Sequence, residues 1–216
     1  MTSEPTAGPT GQLPERRTAV VTGAGGPAGI GRVTARVLLE AGWDVALIDI
    51  NADGLATVEA ELRAAGHDNV LAVPTNIADE ASVAAAYEQI DANLAPVVGL
   101  INLAGIACTS ALHECDVPTF ERVMAVNVTG SYLMIKAAAA RMIPQGIGRI
   151  VNVSSITAFD GGGTFSKGVY ATAKAAVIGM CHGAARELGL RRSRAAIGRA
   201  ARPVPTTTLE EFPCAS

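Results

Sequence analysis

"TAVVTGAGGPAGIGRVTARVLLEAG", residues 18–42, decides the fold. A short run of Thr, Ala and Val passes through a loop holding Gly23, Gly25, Gly26, Gly29 and Gly31 and enters a longer helical pattern. Strand, glycine loop and helix in that order form a phosphate cradle. Glycines permit the tight turn, bring backbone close to a pyrophosphate and let the helix pack against the strand. The helix N-terminus adds free N–H groups and a positive dipole.

Outward from this loop the same alternation repeats. "DVALIDI" (44–50) is a second strand candidate and "GLATVEAELRAAG" a second helix, followed by "NVLAVPTNI" (69–77) and "ASVAAAYEQIDANL". "VVGLINLAG" (97–105) and "GRIVNVSS" (148–155) flank a long helical region, and "YATAKAAVIGMCHGAARELG" (170–189) is a strong helix. Strands alternating with helices predict right-handed crossovers and an α/β fold: a Rossmann-type doubly wound parallel sheet with helices on both faces. Asp49 closes the second strand, where a carboxylate accepts adenosine ribose hydroxyls and repels a 2′-phosphate. NAD is therefore expected over NADP, with Gly23, Gly25, Gly29, Ile30, Gly31 and Asp49 as cofactor-binding candidates.

The bulk properties agree with one enzyme-sized domain. The chain has 216 residues, 49% of them hydrophobic and few aromatic, with a net charge of -3. That charge gives no electrostatic reason for a nucleic-acid or membrane partner. No uninterrupted apolar run approaches the length of a membrane span, and the N-terminus lacks the basic start and apolar core of a secretory signal. Cys108, Cys115, Cys181 and Cys214 form no CxxC pair, and His67, His113 and His182 are scattered, so no metal site is expected. Unpaired thiols suit a reducing, cytoplasmic setting.

"FSKGVYATAK" (165–174) places Tyr170 and Lys174 four residues apart, on one helix face. That spacing alone is common. Its weight comes from Asn127 in "AVNVTG" and Ser155 at the end of "VNVSS", in the same order along the chain. With the glycine loop, these residues make the chain resemble the classical short-chain dehydrogenase/reductase family, over residues 17–189. The family loop reads TGxxxGxG, and here it is about two residues longer. "LINLAG" (100–105) is similar to the family's NNAG segment, with Leu103 in place of its second Asn.

The resemblance implies an NAD(P)-dependent oxidoreductase that interconverts a secondary alcohol and a ketone. It assigns Tyr170 as acid/base, Lys174 as its modulator and a ribose ligand, Ser155 as carbonyl polariser and Asn127 as anchor of a proton-relay water. Asn102, Ala104 and Gly105 would lie along the cofactor, and Asn76 stands where the family has an Asp near the adenine. A phenol titrates near ~10, and a Lys one turn away is expected to lower that value. Ser154 is the rival to Ser155; period-two alternation sends the two side chains apart. The resemblance also implies a small-molecule substrate and a homodimer or homotetramer. The alternative reading is a catalytically silent dinucleotide-binding or subunit-interacting chain.

Three segments are expected: a disordered leader (1–16), the dinucleotide-binding domain (17–189) and an atypical tail (190–216). The tail, "LRRSRAAIGRAARPVPTTTLEEFPCAS", shows no convincing strand. Strands six and seven are thus expected to be missing, which would leave strand five as the sheet edge. The tail's Arg, Ala and Pro content is what an out-of-frame reading of a GC-rich gene would give.

Overall fold

The computed structural model describes residues 13–190 and, by backbone alone, 194–199. Five strands follow the predicted order: β1 (Thr18–Thr22), β2 (Asp44–Asp49), β3 (Val70–Pro74), β4 (Val97–Asn102) and β5 (Ile147–Asn152). Between them run α1 (Ile30–Glu40), α2 (Ala52–Ala64), α3 (Glu80–Asn93), α4 (Val117–Met124) and α5 (Ser131–Gln145). A short α6 (Thr157–Asp160) precedes the long α7 (Gly168–Leu190). All strand pairs are parallel, in the order β3-β2-β1-β4-β5-β6.

The sixth strand, β6 (Arg194–Arg199), corrects the reading of the tail as strand-free. It pairs parallel with β5, from Ile147↔Arg194 to Asn152↔Arg199, so β5 is an interior strand. Its sequence, RAAIGR, has one large apolar residue and no alternating pattern, so composition could not reveal it. The rest of 191–216, with residues 1–12 of the expected leader, lies outside the described residues. The leader's last residues rest on the domain: Arg16 donates to the buried Asp44 at 3.1 Å.

Alternation along the strands builds two cores. Val21, Val45, Leu47 and Val70 face α1 and α2, meeting Ala35, Leu39, Leu55, Val58 and Leu62. Their neighbours Val20, Ala46, Ile48, Leu100 and Ile150 face α3 and α5, meeting Tyr87, Ile90, Met134, Ala138 and Met142. Strands buried on both faces read as continuous apolar runs. The stretch Val117–Gln145 is long and apolar enough to cross a membrane by length and composition, although half of its apolar window is buried inside the protein. Chain order reverses between β1 and β4, opening a crevice at the strands' C-terminal ends where such sheets bind ligands.

Candidate active site

A cleft of about 860 Å³ occupies that crevice. Gly23, Gly29, Ile30, Gly31, Asp49, Asn76, Ala104, Gly105, Tyr170 and Lys174 line it, so candidates from five separate segments of sequence converge there. Gly25, Asn102, Asn127 and Ser155 are the predicted residues outside the lining; each touches a residue that belongs to it.

The glycine loop works through close approach. Gly23 has φ +71°, and a Cβ there would come within 2.9 Å of the Ala104 nitrogen. A Cβ on Gly31 would stand 2.4 Å from the Gly23 carbonyl oxygen, so the first turn of α1 is seated on the loop itself. Gly29 is the N-cap of α1 and offers no side-chain cap, leaving the helix N-terminus open to the cleft. Within the loop a turn is closed by the Gly29 N–H donating to the Gly26 carbonyl at 3.3 Å. Asp49 is pinned by two backbone donors, Gly25 N–H at 2.9 Å and Asn51 N–H at 3.0 Å.

Thr22 is a residue the sequence reading passed over. Its hydroxyl oxygen accepts from both the Leu103 and Ala104 N–H groups, at 2.9 and 3.0 Å, and so ties the glycine loop to the end of β4. Asn76 sits exposed at the cleft margin while its Oδ1 accepts from Ala78 N–H, so it shapes the turn after β3 as well as lining the cleft. Asn102 is buried beneath the cleft floor, donating to Asn152 Oδ1 at 2.7 Å and to the Ser131 carbonyl at 3.4 Å.

Asn127 lies on a six-residue π-helical turn, Ala125–Gly130, between α4 and α5. Fully buried, it donates to the carbonyls of Val123 and Ile106, both at 2.9 Å. Its Oδ1 has no partner and faces Gly105, where a Cβ would be 2.5 Å from that oxygen and 3.5 Å from Lys174 Nζ. An unpartnered buried carbonyl oxygen next to an ammonium is a polar gap suited to a water.

The two serines diverge as alternation requires. Ser154 donates its hydroxyl to the Lys174 carbonyl at 2.8 Å and fastens α7 to the end of β5. The Ser155 hydroxyl accepts from Thr157 N–H at 3.3 Å and lies near enough to the Tyr170 phenol to influence its titration. Lys174 is buried; its Nζ donates to the Val153 carbonyl at 2.9 Å and stands 5.6 Å from the centre of the Tyr170 ring.

The Tyr170 phenol is held above its ordinary value by burial, with the Ser155 hydroxyl opposing the shift. The Lys174 ammonium addresses the Val153 carbonyl and the Tyr170 ring. Burial in turn pushes Lys174 down.

Comparison with known proteins agrees with this arrangement. The family model described as short chain dehydrogenase matches residues 17–197. Cis-4-hydroxycyclohexanecarboxylate dehydrogenase of Sinomonas cyclohexanicum is 42% identical over 81% of this chain and 68% of its own. A Xanthobacter autotrophicus protein, inactive 2-(S)-hydroxypropyl-CoM dehydrogenase 2, is 39% identical over 71% of this chain and 64% of its own. Among solved structures, NAD+-bound xylitol dehydrogenase superposes with a TM-score of 0.75 at 32% identity, covering 81% of this chain and 66% of that one. The chain thus spans about two thirds of the length of the relatives it matches. With a family match that runs from the first strand into the sixth, the chain belongs to the short-chain dehydrogenase family of oxidoreductases, which act on CH–OH groups.

Proposed function

We propose that this protein is an NAD-dependent dehydrogenase that interconverts a small secondary alcohol and its ketone. The observation that carries the reading is that Tyr170 and Lys174 share one cleft with the glycine loop and Asp49, the Lys174 Nζ standing 5.6 Å from the centre of the Tyr170 ring.

The dinucleotide implied by the family fits the residues present. The spaces that side chains at Gly23 and Gly31 would fill are taken up by backbone, and α1 presents an uncapped N-terminus to the cleft. Gly29, Ile30 and Gly31 would hold the pyrophosphate, and Ala104 and Gly105 would run beside it. Asp49 would accept the adenosine ribose hydroxyls; a 2′-phosphate in that place would meet a fixed carboxylate, which favours NAD over NADP. Asn76 would border the adenine, and Asn102 would support the floor from below. When bound, the nicotinamide supplies or accepts the hydride.

The protein's own share is proton handling. Ser155 Oγ would hold the substrate oxygen while the Tyr170 phenol gives that oxygen a proton or takes one from it. Lys174 would bind the ribose and steady the charge that develops on the phenol. Asn127 Oδ1 would anchor the water that passes protons toward Lys174. The reading extends to a homodimer or homotetramer in the cytoplasm, with no nucleic-acid or membrane partner.

A second reading is favoured by the Lys174 hydrogen bond to Val153, which turns the ammonium from the phenol hydroxyl, and by the relative that is named inactive. It makes this a silent, cofactor-binding or subunit-interacting chain. Parallel thermal-shift titrations with NADH and NADPH, followed by turnover assays on a panel of secondary alcohols, separate the two. The enzyme reading expects a larger shift with NADH and measurable turnover. A shift without turnover supports the silent, cofactor-binding chain, and no shift with either nucleotide defeats the enzyme reading in favour of the silent one.

A further inference from the structure

Outside the residues used above, the described part of the molecule brings two thiols together. Cys108 follows β4 and Cys115 precedes α4; their Sγ atoms are 3.8 Å apart. Cys108 is 4% exposed, whereas Cys115 is only half-buried, so one thiol of the pair meets solvent and the other waits behind it. The site is coupled to the catalytic helix in two ways. The Cys108 carbonyl accepts from Lys167 N–H at 2.9 Å, one residue before α7 begins. The Cys108 side chain packs with Val169 and Ala173 in a small cluster that Tyr170 and Cys115 also join.

We propose that Cys108 and Cys115 are a modification site, closing to an intramolecular disulfide by exchange with low-molecular-weight disulfides. The Cys115 thiolate attacks one sulfur of the small disulfide, forms a mixed disulfide and releases one small thiolate. The Cys108 thiolate then attacks Cys115 Sγ, forming the Cys108–Cys115 bond and releasing the second small thiolate. Two protein thiols give up two protons and two electrons; the small disulfide takes up both electrons and leaves as two thiols. Desolvation, the hydrogen bond with Cys108 and the nearby Asp116 charge hold the Cys115 thiol above its ordinary value.

Bond formation must draw the sulfurs from 3.8 Å to about 2.05 Å. That movement pulls on the Cys108 carbonyl and hence on the start of the helix carrying Tyr170. The effect on turnover rests on the function proposed above; the disulfide itself does not.

The test uses the whole chain incubated with oxidised glutathione, quenched by alkylation and digested without reductant. No Lys or Arg lies between Ala64 and Arg122, so trypsin leaves both cysteines in one peptide, and a Glu-specific protease then cuts after Glu114, between them. The expected result is two fragments still joined, lighter by two hydrogens and released by dithiothreitol. Cys115→Ser abolishes the link and Cys181→Ser leaves it. Fragments that separate, whether free or singly glutathionylated, or a link from either cysteine to Cys181 or Cys214, overturn the proposal. If the joined fragments form in a chain without turnover, the modification site stands and only the enzyme reading fails.

Discussion

The two sides of the cleft are built from different materials. On the β1–β2 side the ligand-facing surface is backbone, and its shape comes from missing side chains: Gly23 against Ala104, Gly31 against the Gly23 carbonyl, Gly25 against Asp49. On the β4–β5 side it depends on polar side chains held by specific hydrogen bonds, Ser154 and Lys174 in the lining and Asn127 and Ser155 outside it. The difference teaches how each should fail. Adding atoms breaks the first side, and removing polar atoms breaks the second.

Tyr170→Phe gives the largest and cleanest test. It removes one hydroxyl, and turnover should fall by roughly 10²–10⁴-fold with NADH affinity and melting temperature little changed. A variant that loses NADH binding instead would show that the β4–β5 side shapes the cofactor seat. Gly31→Ala is the mirror experiment. Its Cβ would have to displace the Gly23 carbonyl, so thermal unfolding should register a loss of about 1–3 kcal/mol, with a marked weakening of NADH binding.

Asp49→Ala tests whether the carboxylate selects or merely supports. The ratio of NADPH to NADH affinity should rise about tenfold, equivalent to about 1.4 kcal/mol. An equal loss for both nucleotides would mean that Asp49 acts by holding Gly25 and Asn51. Ser154→Ala and Ser155→Ala sharpen the contrast within one strand end. The first should cost about 1 kcal/mol of stability, and the second should lower turnover at nearly unchanged stability.

The smallest effect is one of pH. Tyr87 is fully buried, its hydroxyl donating to the Met134 carbonyl at 3.3 Å, and burial raises its phenol well above the ordinary range. The unfolded phenol releases its proton above about pH 10 while the folded one keeps it. Its contribution to stability is therefore constant below pH 10 and declines as pH rises beyond it. Tyr170, raised in the same direction, adds to that decline, whereas Lys174, lowered by burial, opposes it. Denaturant titrations between pH 9 and 11 should show a shallower decline for Tyr87→Phe.

Much of this was legible in the sequence because the signals were local. The loop announces itself by five glycines between an apolar run and a helix, and Asp49 by its place at a strand end. The serines follow from alternation: adjacent residues must face apart. What could not be read depends on contacts far apart along the chain. Thr22 meets Leu103 and Ala104 across two strands, Asn102 turns out to clasp Asn152 beneath the floor, and Lys174 chooses the Val153 carbonyl over its neighbour's hydroxyl. β6 escaped notice because its place is set by pairing with β5 and not by its own pattern.

The wide turn at Ala125–Gly130 has a consequence for the whole long helix. Threaded with one residue more than an α-helical turn needs, it acts as a phase shifter: Val123 before it points at the α7 cluster, while Met134, Ala138 and Met142 beyond it point at the sheet. Deleting a single residue there would restore the ordinary pitch and rotate everything downstream by roughly 100°. The same six residues that present Asn127 therefore set the angular registration of the entire central crossover, so a one-codon deletion at 125–130 would unseat a core some three turns away.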